Sequence, residues 1–190
     1  PTIAYAVTYL FGVMGPLLAT SLALRGRDAD TDVPAPLVSR SIQVDSTDEP
    51  SVGELERRYK QRIRFSRLQQ GPSADDVQAP SDAAQLRRGD VVTVVGPIDL
   101  VDQVTDELGQ PSAESLEAIR CAVDFRRITL SDEDLAGHTI GDLDLMRRFG
   151  AKVIRVRRGD LDVLAKDSFV LQPGDRLRII APREQISAVT

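Results

Sequence analysis

The chain has 190 residues, of which 42% are hydrophobic, enough apolar material for one medium domain or two small ones. Its 24 Lys and Arg residues against 29 Asp and Glu residues give a formal net charge of −5, which argues against generic nucleic-acid binding. The single cysteine, Cys121, excludes a disulfide framework within the chain and fits a reducing compartment.

The N-terminal segment from Ile3 to Leu24 carries no charged residue. About 20 uncharged, mostly apolar residues are enough to cross the hydrocarbon core of a bilayer as a helix. Arg25 and Arg27 follow at once, as expected on the cytoplasmic side. A signal peptide would need a basic leader, which is missing here, so the remaining alternative is a buried core helix. The pattern predicts that residues 1–25 are the end of a transmembrane helix.

Residues 26–39 contain three aspartates at alternate positions and two prolines, and this composition predicts a linker.

The rest of the chain contains two copies of one unit, residues 40–109 and residues 126–190, which we call the first and second repeat. Each repeat combines a strand, a short amphipathic helix, a second strand, a Gly-Asp turn, an apolar strand and a closing helix. The loop before the turn leaves room for a short extra strand. The sequence therefore predicts an α+β fold with two sheets, each packed against helices.

The repeats match segment by segment. In the first repeat the predicted strands are residues 40–44, 63–68 and 91–95, with helices from Val52 and after Pro97. In the second repeat they are residues 126–130, 153–157 and 176–180, with helices from Ile140 and after Pro182. Residues 110–125 join the repeats, and the composition of residues 112–119 predicts a connecting helix.

Two motifs of the second repeat, LAGHTIGDL at Leu135–Leu143 and LQPGDRL at Leu171–Leu177, are similar to the TrkA-C domain. That domain is the C-terminal half of regulator-of-conductance-of-potassium (RCK) proteins. The first repeat resembles it more distantly and keeps the Gly-Asp turn. The stretch PTIAYAVTY at the N-terminus resembles a helix end in the aspartate:alanine exchanger family, whose members place paired TrkA-C domains between two membrane halves.

This resemblance implies two tandem TrkA-C-like βαββα-type domains behind the end of a transmembrane helix. It also implies a multi-pass parent protein in the cell membrane, with residues 26–190 on the cytoplasmic side. The partners implied are the membrane halves of the same transporter and a second copy of the chain in a homodimer.

No catalytic or metal-ligating set can be assembled from the sequence. His138 is the only histidine and has no second ligand residue beside it, and Cys121 has no histidine partner close in sequence. The acidic run at residues 131–134 lacks the spacing of a calcium loop, and we interpret it as a solvated turn. Phosphate-cradling glycine motifs are missing as well. The sequence predicts a protein that is not an enzyme and holds no metal, and it leaves the cofactor unknown.

Arginines mark a candidate ligand site in the second repeat. Because strand side chains alternate between faces, Arg155 and Arg157 share one face of their strand, and Arg176 and Arg178 share one face of theirs. The opposite faces would carry Ile154, Val156, Leu177 and Ile179. Four arginines on one sheet face could hold a small anionic ligand such as a nucleotide or cyclic dinucleotide. The alternative is an exposed face whose arginines pair with local Asp and Glu.

The equivalent face of the first repeat is apolar instead, with Val91, Thr93 and Val95. An apolar face needs a cover, so we expect Val91 and Val95 at an interface between domains or subunits.

The sequence favours a regulatory and assembly module of a bacterial secondary transporter, an amino-acid or dicarboxylate exchanger, that senses a small anion. A ligand-free dimerisation scaffold is the first alternative. A membrane-associated enzyme is the second, which the missing catalytic residues argue against.

Overall fold

The computed structural model of the protein describes residues 14–16, 18–19, 35–71, 73, 76–118 and 122–189. From Ala35 onward the chain forms one compact α+β unit with two antiparallel sheets. The predicted membrane helix lies outside the described residues, apart from residues 14–16 and 18–19, which are helical. Cys121 also lies outside them. Of the helices that the structure describes, none combines the length and the apolar character that crossing a membrane requires.

The first sheet follows the predicted element order. Its strands are β1 (Leu37–Val44), β2 (Arg64–Gln69), β3 (Val77–Gln78), β4 (Val91–Pro97) and β5 (Gly109–Pro111), in the order β3-β2-β4-β1-β5. Helix α1 (Val52–Arg58) follows β1, and helix α2 (Ile98–Leu108) follows β4. A capping box begins α1, because Ser51 Oγ accepts from the Glu54 amide and the Glu54 carboxylate accepts from the Ser51 amide. Both helices pack on the core of this sheet.

The second sheet is built in the same way with fewer helical residues. Its strands are β6 (Val123–Thr129), β7 (Lys152–Arg158), β8 (Leu161–Leu164) and β9 (Arg176–Pro182), in the order β6-β9-β7-β8. Two 3-10 turns, Glu133–Leu135 and Gly141–Leu143, and the short helix α3 (Leu145–Phe149) lie between β6 and β7. Strands β3 and β8 are the short extra strands for which the sequence left room.

The two sheets share their topology down to local details. β1, β4, β2 and β3 occupy the same order as β6, β9, β7 and β8. The register shifts between Phe65 and Arg67 in β2, and between Val153 and Arg155 in β7, so both strands bulge at the same place. This common design is what the repeat in the sequence predicts.

The Gly-Asp turns are equivalent too. Asp90 accepts a hydrogen bond from the Arg87 amide at 2.8 Å, and Asp175 accepts one from the Gln172 amide at 2.9 Å. The preceding glycines have φ of 95° and 87°, a left-handed conformation that glycine adopts without steric cost. In each repeat the aspartate therefore closes the predicted Gly-Asp turn by accepting from a backbone amide of the same turn.

Three predicted helices are wrong or shortened. Residues 112–118 form bends and turns instead of a connecting helix, because their backbone bonds to β1, where the Ser112 amide donates to the Ser41 carbonyl at 2.8 Å. After Pro182 only turns follow, over residues 183–188. The helix expected from Ile140 is a single 3-10 turn, because Asp144 adopts a left-handed conformation with φ of 44° and separates it from α3.

A buried ion network joins the two sheets. Glu56 of α1 is 3% exposed, and one of its carboxylate oxygens accepts from Arg64 at 2.6 Å. The other accepts from Lys152 of β7 and from the Phe65 amide, each at 2.9 Å. Arg64 in turn donates to the Ala165 carbonyl at 2.6 Å. One carboxylate of the first repeat thus holds a cation from each repeat.

A substitution of Asp175 tests how much the Gly-Asp turn contributes to the stability of the fold. Arg158 donates two hydrogen bonds to this carboxylate, at 2.8 and 2.7 Å, and these lower the pKa of Asp175. A lowered folded-state pKa means that the carboxylate stabilises the fold above the unfolded pKa of about 3.9 and that this contribution is lost as pH falls. We expect Asp175→Asn to reduce the free energy of unfolding by about 1–3 kcal/mol near neutral pH.

The measurement is chemical denaturation of parent and variant from about pH 6 down to about pH 3. The difference between the two proteins should shrink as the pH falls. Asp160→Asn, at a fully exposed carboxylate in the neighbouring turn, serves as the control. A constant difference at every pH would contradict the assignment.

Candidate anion-binding site

Five arginines converge on one face of the second sheet. Arg178 of β9 lies opposite Arg127 of β6 on one side and opposite Arg155 of β7 on the other. Two residues earlier in β9, Arg176 lies opposite Arg157. Together they line a cavity of about 170 Å³. The register of three adjacent strands therefore brings five guanidinium groups to one place.

The cavity carries an excess of positive charge. Like charges directly opposite each other in a sheet are destabilising. Among the residues that the structure describes, Asp162 is the one acidic residue that lines the cavity. Burial and the charge of Arg178 lower the pKa of Arg155. The guanidinium of Arg178 lies 4.8 Å from the centre of the Phe125 ring, a cation–π contact that restrains its orientation. Such a cluster is suited to a phosphate or carboxylate ligand, which relieves the repulsion.

The structure places all four sequence-predicted arginines, Arg155, Arg157, Arg176 and Arg178, around this cavity. Sequence reasoning missed Arg127. The signal was available, since Arg127 alternates with Ile128 along β6 as the other arginines alternate with aliphatic residues. Whether these side chains bind a ligand stays a prediction.

The predicted alternation is wrong at one position. Ile154 was expected on the face of Val156, but the two belong to different apolar clusters. The bulge in β7 is the reason, because one extra residue interrupts the two-residue period. Ile154 instead packs with Ile180 and with Val95 of the first sheet.

A narrow crevice shares Arg155 and Arg178 with the cavity and is also lined by residues of the first sheet. Arg67 of β2, which is 1% exposed, lines this crevice together with Arg155, Arg178 and Glu117. Ser39 of β1 donates a hydrogen bond to Glu117 at 2.7 Å. Two of the five cavity arginines therefore also lie beside groups of the first repeat and of the connecting segment.

The two valines of the first repeat lie close to this crevice. Val95 is 2% exposed and packs in one cluster with Leu116, Ile154 and Ile180. Val91 is partly buried against the same cluster. The second sheet of the same chain contributes to their cover, and a role for them in pairing two chains stays a prediction.

A larger cavity of about 360 Å³ has a different character. Arg64 and Lys152 line it together with Asp82, Asp144 and Asp167. Its two cations are already engaged by Glu56, so it offers no excess positive charge. Within the part of the chain that the structure describes, no group of three or more His, Cys, Asp or Glu residues could hold a metal ion.

Comparisons with known proteins find one domain family and several bacterial transporters that the chain resembles. Residues 125–190 match the TrkA-C domain family. The whole chain aligns with an uncharacterized transporter of Geobacter sulfurreducens at 35% identity, covering 37% of that protein. Over 97% of its length it aligns with uncharacterized transporters of Cutibacterium acnes (35% identity) and Symbiobacterium thermophilum (32% identity), covering 35% and 36% of them. The chain thus spans little more than a third of these relatives.

Solved structures give more distant likenesses. The RCK C domain of the potassium transport protein KtrA, in complex with cyclic diadenosine monophosphate, aligns with 24% identity and a TM-score of 0.33. That alignment covers 35% of this chain and 79% of the other. The GsuK RCK domain aligns with 11% identity and a TM-score of 0.34, over 80% of this chain and 62% of that one. Residues 125–190 are thus similar to TrkA-C domains, and the chain as a whole is similar to part of these bacterial transporters.

Proposed function

We propose that the chain is a regulatory and assembly module of a bacterial secondary transporter and that it senses a small anionic ligand at the five-arginine cavity. The observation that carries the ligand proposal is the register that sets Arg178 against Arg127 and Arg155, while Asp162 is the single acidic residue among the described part of the lining. Repulsion between these arginines destabilises the sheet, and a bound anion would offset that cost.

The spacing of the arginines favours a ligand with more than one anionic group. Arg127, Arg155 and Arg178 lie on one rung of the sheet, and Arg157 and Arg176 lie on the next such rung. Rungs two residues apart are separated by about 7 Å along the strands. Nucleotides, cyclic dinucleotides and dicarboxylates have anionic groups that could contact both rungs. A planar guanidinium can bind each of these groups with two parallel hydrogen bonds.

We further propose the layout and surroundings of the module. Residues 1–25 are the end of a transmembrane helix, residues 26–39 a linker, residues 40–109 and 126–190 paired TrkA-C-like domains, and residues 110–125 their connection. Residues 26–190 lie on the cytoplasmic side of the cell membrane. The membrane halves of the same transporter, of the aspartate:alanine exchanger type, and a second copy of the chain are the partners. The substrate of the transporter is an amino acid or a dicarboxylate.

A ligand-free dimerisation scaffold is the second candidate, and strand β6 is the observation that favours it. β6 forms one edge of the second sheet, and its central residues Arg126 and Arg127 are exposed. An exposed edge strand can pair with another chain. On this alternative the arginines would limit such pairing and would bind no ligand.

A thermal-shift screen of the 190-residue chain tests the ligand proposal. Pyrophosphate, ATP, a cyclic dinucleotide and a dicarboxylate are added at constant ionic strength. A ligand at 100 times its Kd stabilises the native state by about 2.7 kcal/mol and raises the melting temperature by several degrees. We expect the double variant Arg155→Gln/Arg178→Gln to lose this shift. Without ligand it should stay within about 1 kcal/mol of the parent, since repulsion is removed.

Arg126→Gln is the matched control. Arg126 neighbours Arg127 on the same strand, but its side chain alternates to the other face, and it does not line the cavity. This variant should retain the full shift. If no anion in the screen raised the melting temperature of the parent, the scaffold would be the better description.

A further inference from the structure

The connecting segment covers a position on the first sheet. The equivalent position on the second sheet belongs to the arginine cavity. Ser41 lies opposite Thr93 in the first sheet, at the register position where Arg127 lies opposite Arg178 in the second. The hydroxyl groups of Ser41 and Thr93 are 3.1 Å apart, and the Leu116 amide donates to the Ser41 hydroxyl at 3.3 Å. Leu116 is fully buried there. On the first sheet this position is therefore filled by the chain itself.

Glu117, the next residue, faces the arginines. It lines the crevice shared with Arg67, Arg155 and Arg178, and it is half-buried. Its carboxylate is held from the side of the first sheet by the Ser39 hydroxyl, at 2.7 Å. Its charge also favours the protonated form of Arg155, as does that of Asp162. A carboxylate of the connecting segment thus lies in the crevice beside two arginines of the cavity, Arg155 and Arg178.

We propose that the Glu117 carboxylate competes with the anionic ligand for interaction with Arg155 and Arg178, an inference that rests on the proposed ligand site. Its negative charge reduces the positive potential that attracts an anion to Arg155 and Arg178. A bound anion in turn weakens the attraction between Glu117 and these arginines. The Ser39 hydroxyl holds Glu117 to strand β1. Binding of an anion to the second sheet therefore affects a contact of the first sheet. Such coupling is reciprocal: releasing Glu117 strengthens anion binding by the factor by which the anion weakens the Glu117 contact.

Pyrophosphate binding to the 190-residue chain, measured by isothermal titration calorimetry at constant ionic strength, tests this inference. The variants are Glu117→Gln and, as the matched control, Glu114→Gln. Both remove one negative charge from the same segment, but Glu114 is exposed and does not line the crevice. We expect Glu117→Gln to bind pyrophosphate roughly three- to tenfold more tightly than the parent. Glu114→Gln should stay within about twofold, because an exposed charge beyond the crevice is screened by salt.

A second readout is thermal stability without pyrophosphate. Glu117→Gln should melt at a lower temperature than Glu114→Gln, because it removes a negative charge beside the crevice arginines. Equal affinities of the two variants for pyrophosphate would overturn the inference. Binding by neither the parent nor Glu117→Gln, with the stability difference still present, would overturn the proposed ligand site as well. Glu117 would in that case be only a structural counter-ion.

Discussion

Replacing Glu56 by glutamine is expected to reduce the free energy of unfolding by about 3–5 kcal/mol, because a buried carboxylate that compensates two cations is lost. Arg64 and Lys152 are both buried, and each donates to Glu56, at 2.6 and 2.9 Å. A neutral amide leaves Arg64 to the exposed carboxylate of Asp167 and Lys152 to that of Asp82, and these compensate a buried charge less well than a buried carboxylate does. The measurement is urea denaturation followed by circular dichroism.

Two further variants show whether charge imbalance is the cause. Glu184→Gln changes an exposed carboxylate and should leave the urea midpoint unchanged within error. The triple variant Glu56→Leu/Arg64→Met/Lys152→Met removes all three charges together, and buried ion networks replaced by apolar side chains often keep or gain stability. It should therefore be more stable than Glu56→Gln. A triple variant that is less stable than the single variant would show that the network does more than balance charge.

The double variant Val91→Lys/Val95→Lys is expected to lose on the order of 3 kcal/mol or more in free energy of unfolding, because it forces an ammonium group into an apolar cluster. Val95 packs against Ile154 and Ile180 of the second sheet, and Arg67 lines the same crevice. A new cation here is both desolvated and repelled. The two sheets should separate or the chain should unfold, and sedimentation velocity with thermal melting distinguishes these results.

Arg176→Lys/Arg178→Lys is the control for this prediction. It introduces the same two side chains into β9, the strand equivalent to β4, where charge is already present and half exposed. Its melting temperature should stay close to that of the parent. Sedimentation and melting of the valine variant that matched the parent would show that this cluster does not hold the sheets together.

Most of the fold was predictable because its determinants are local. The Gly-Asp pairs at residues 89–90 and 174–175 place a turn before each apolar strand, and alternation of arginine with leucine and isoleucine marks the inner and outer faces of β9. The connecting helix was wrong for a non-local reason. Residues 112–118 have helix-forming composition, but their backbone groups find partners on β1, and tertiary contacts override propensity.

The candidate sites show the same limit. Four of the five arginines could be grouped from strand periodicity alone, whereas the position of Ile154 depends on a bulge that leaves no clear mark in the sequence. The contact between Glu56 and Lys152 joins residues 96 positions apart, and no spacing rule connects them. Nor could Glu117 be linked to the arginines, since this depends on how the two sheets face each other.

The common register of the two sheets has a consequence for how such a module could specialise. In a dimer of identical single domains every substitution appears twice, once on each side of the symmetry axis. Here both sheets belong to one polypeptide, so the same register position can hold Thr93 on one side and Arg178 on the other. Because the two sheets are covalently joined, their sequences can differ. The connecting segment covers this face of the first sheet, while the same face of the second sheet stays open and charged. A pair of such chains would carry two copies of the proposed anion site, where an assembly of four identical domains would carry four.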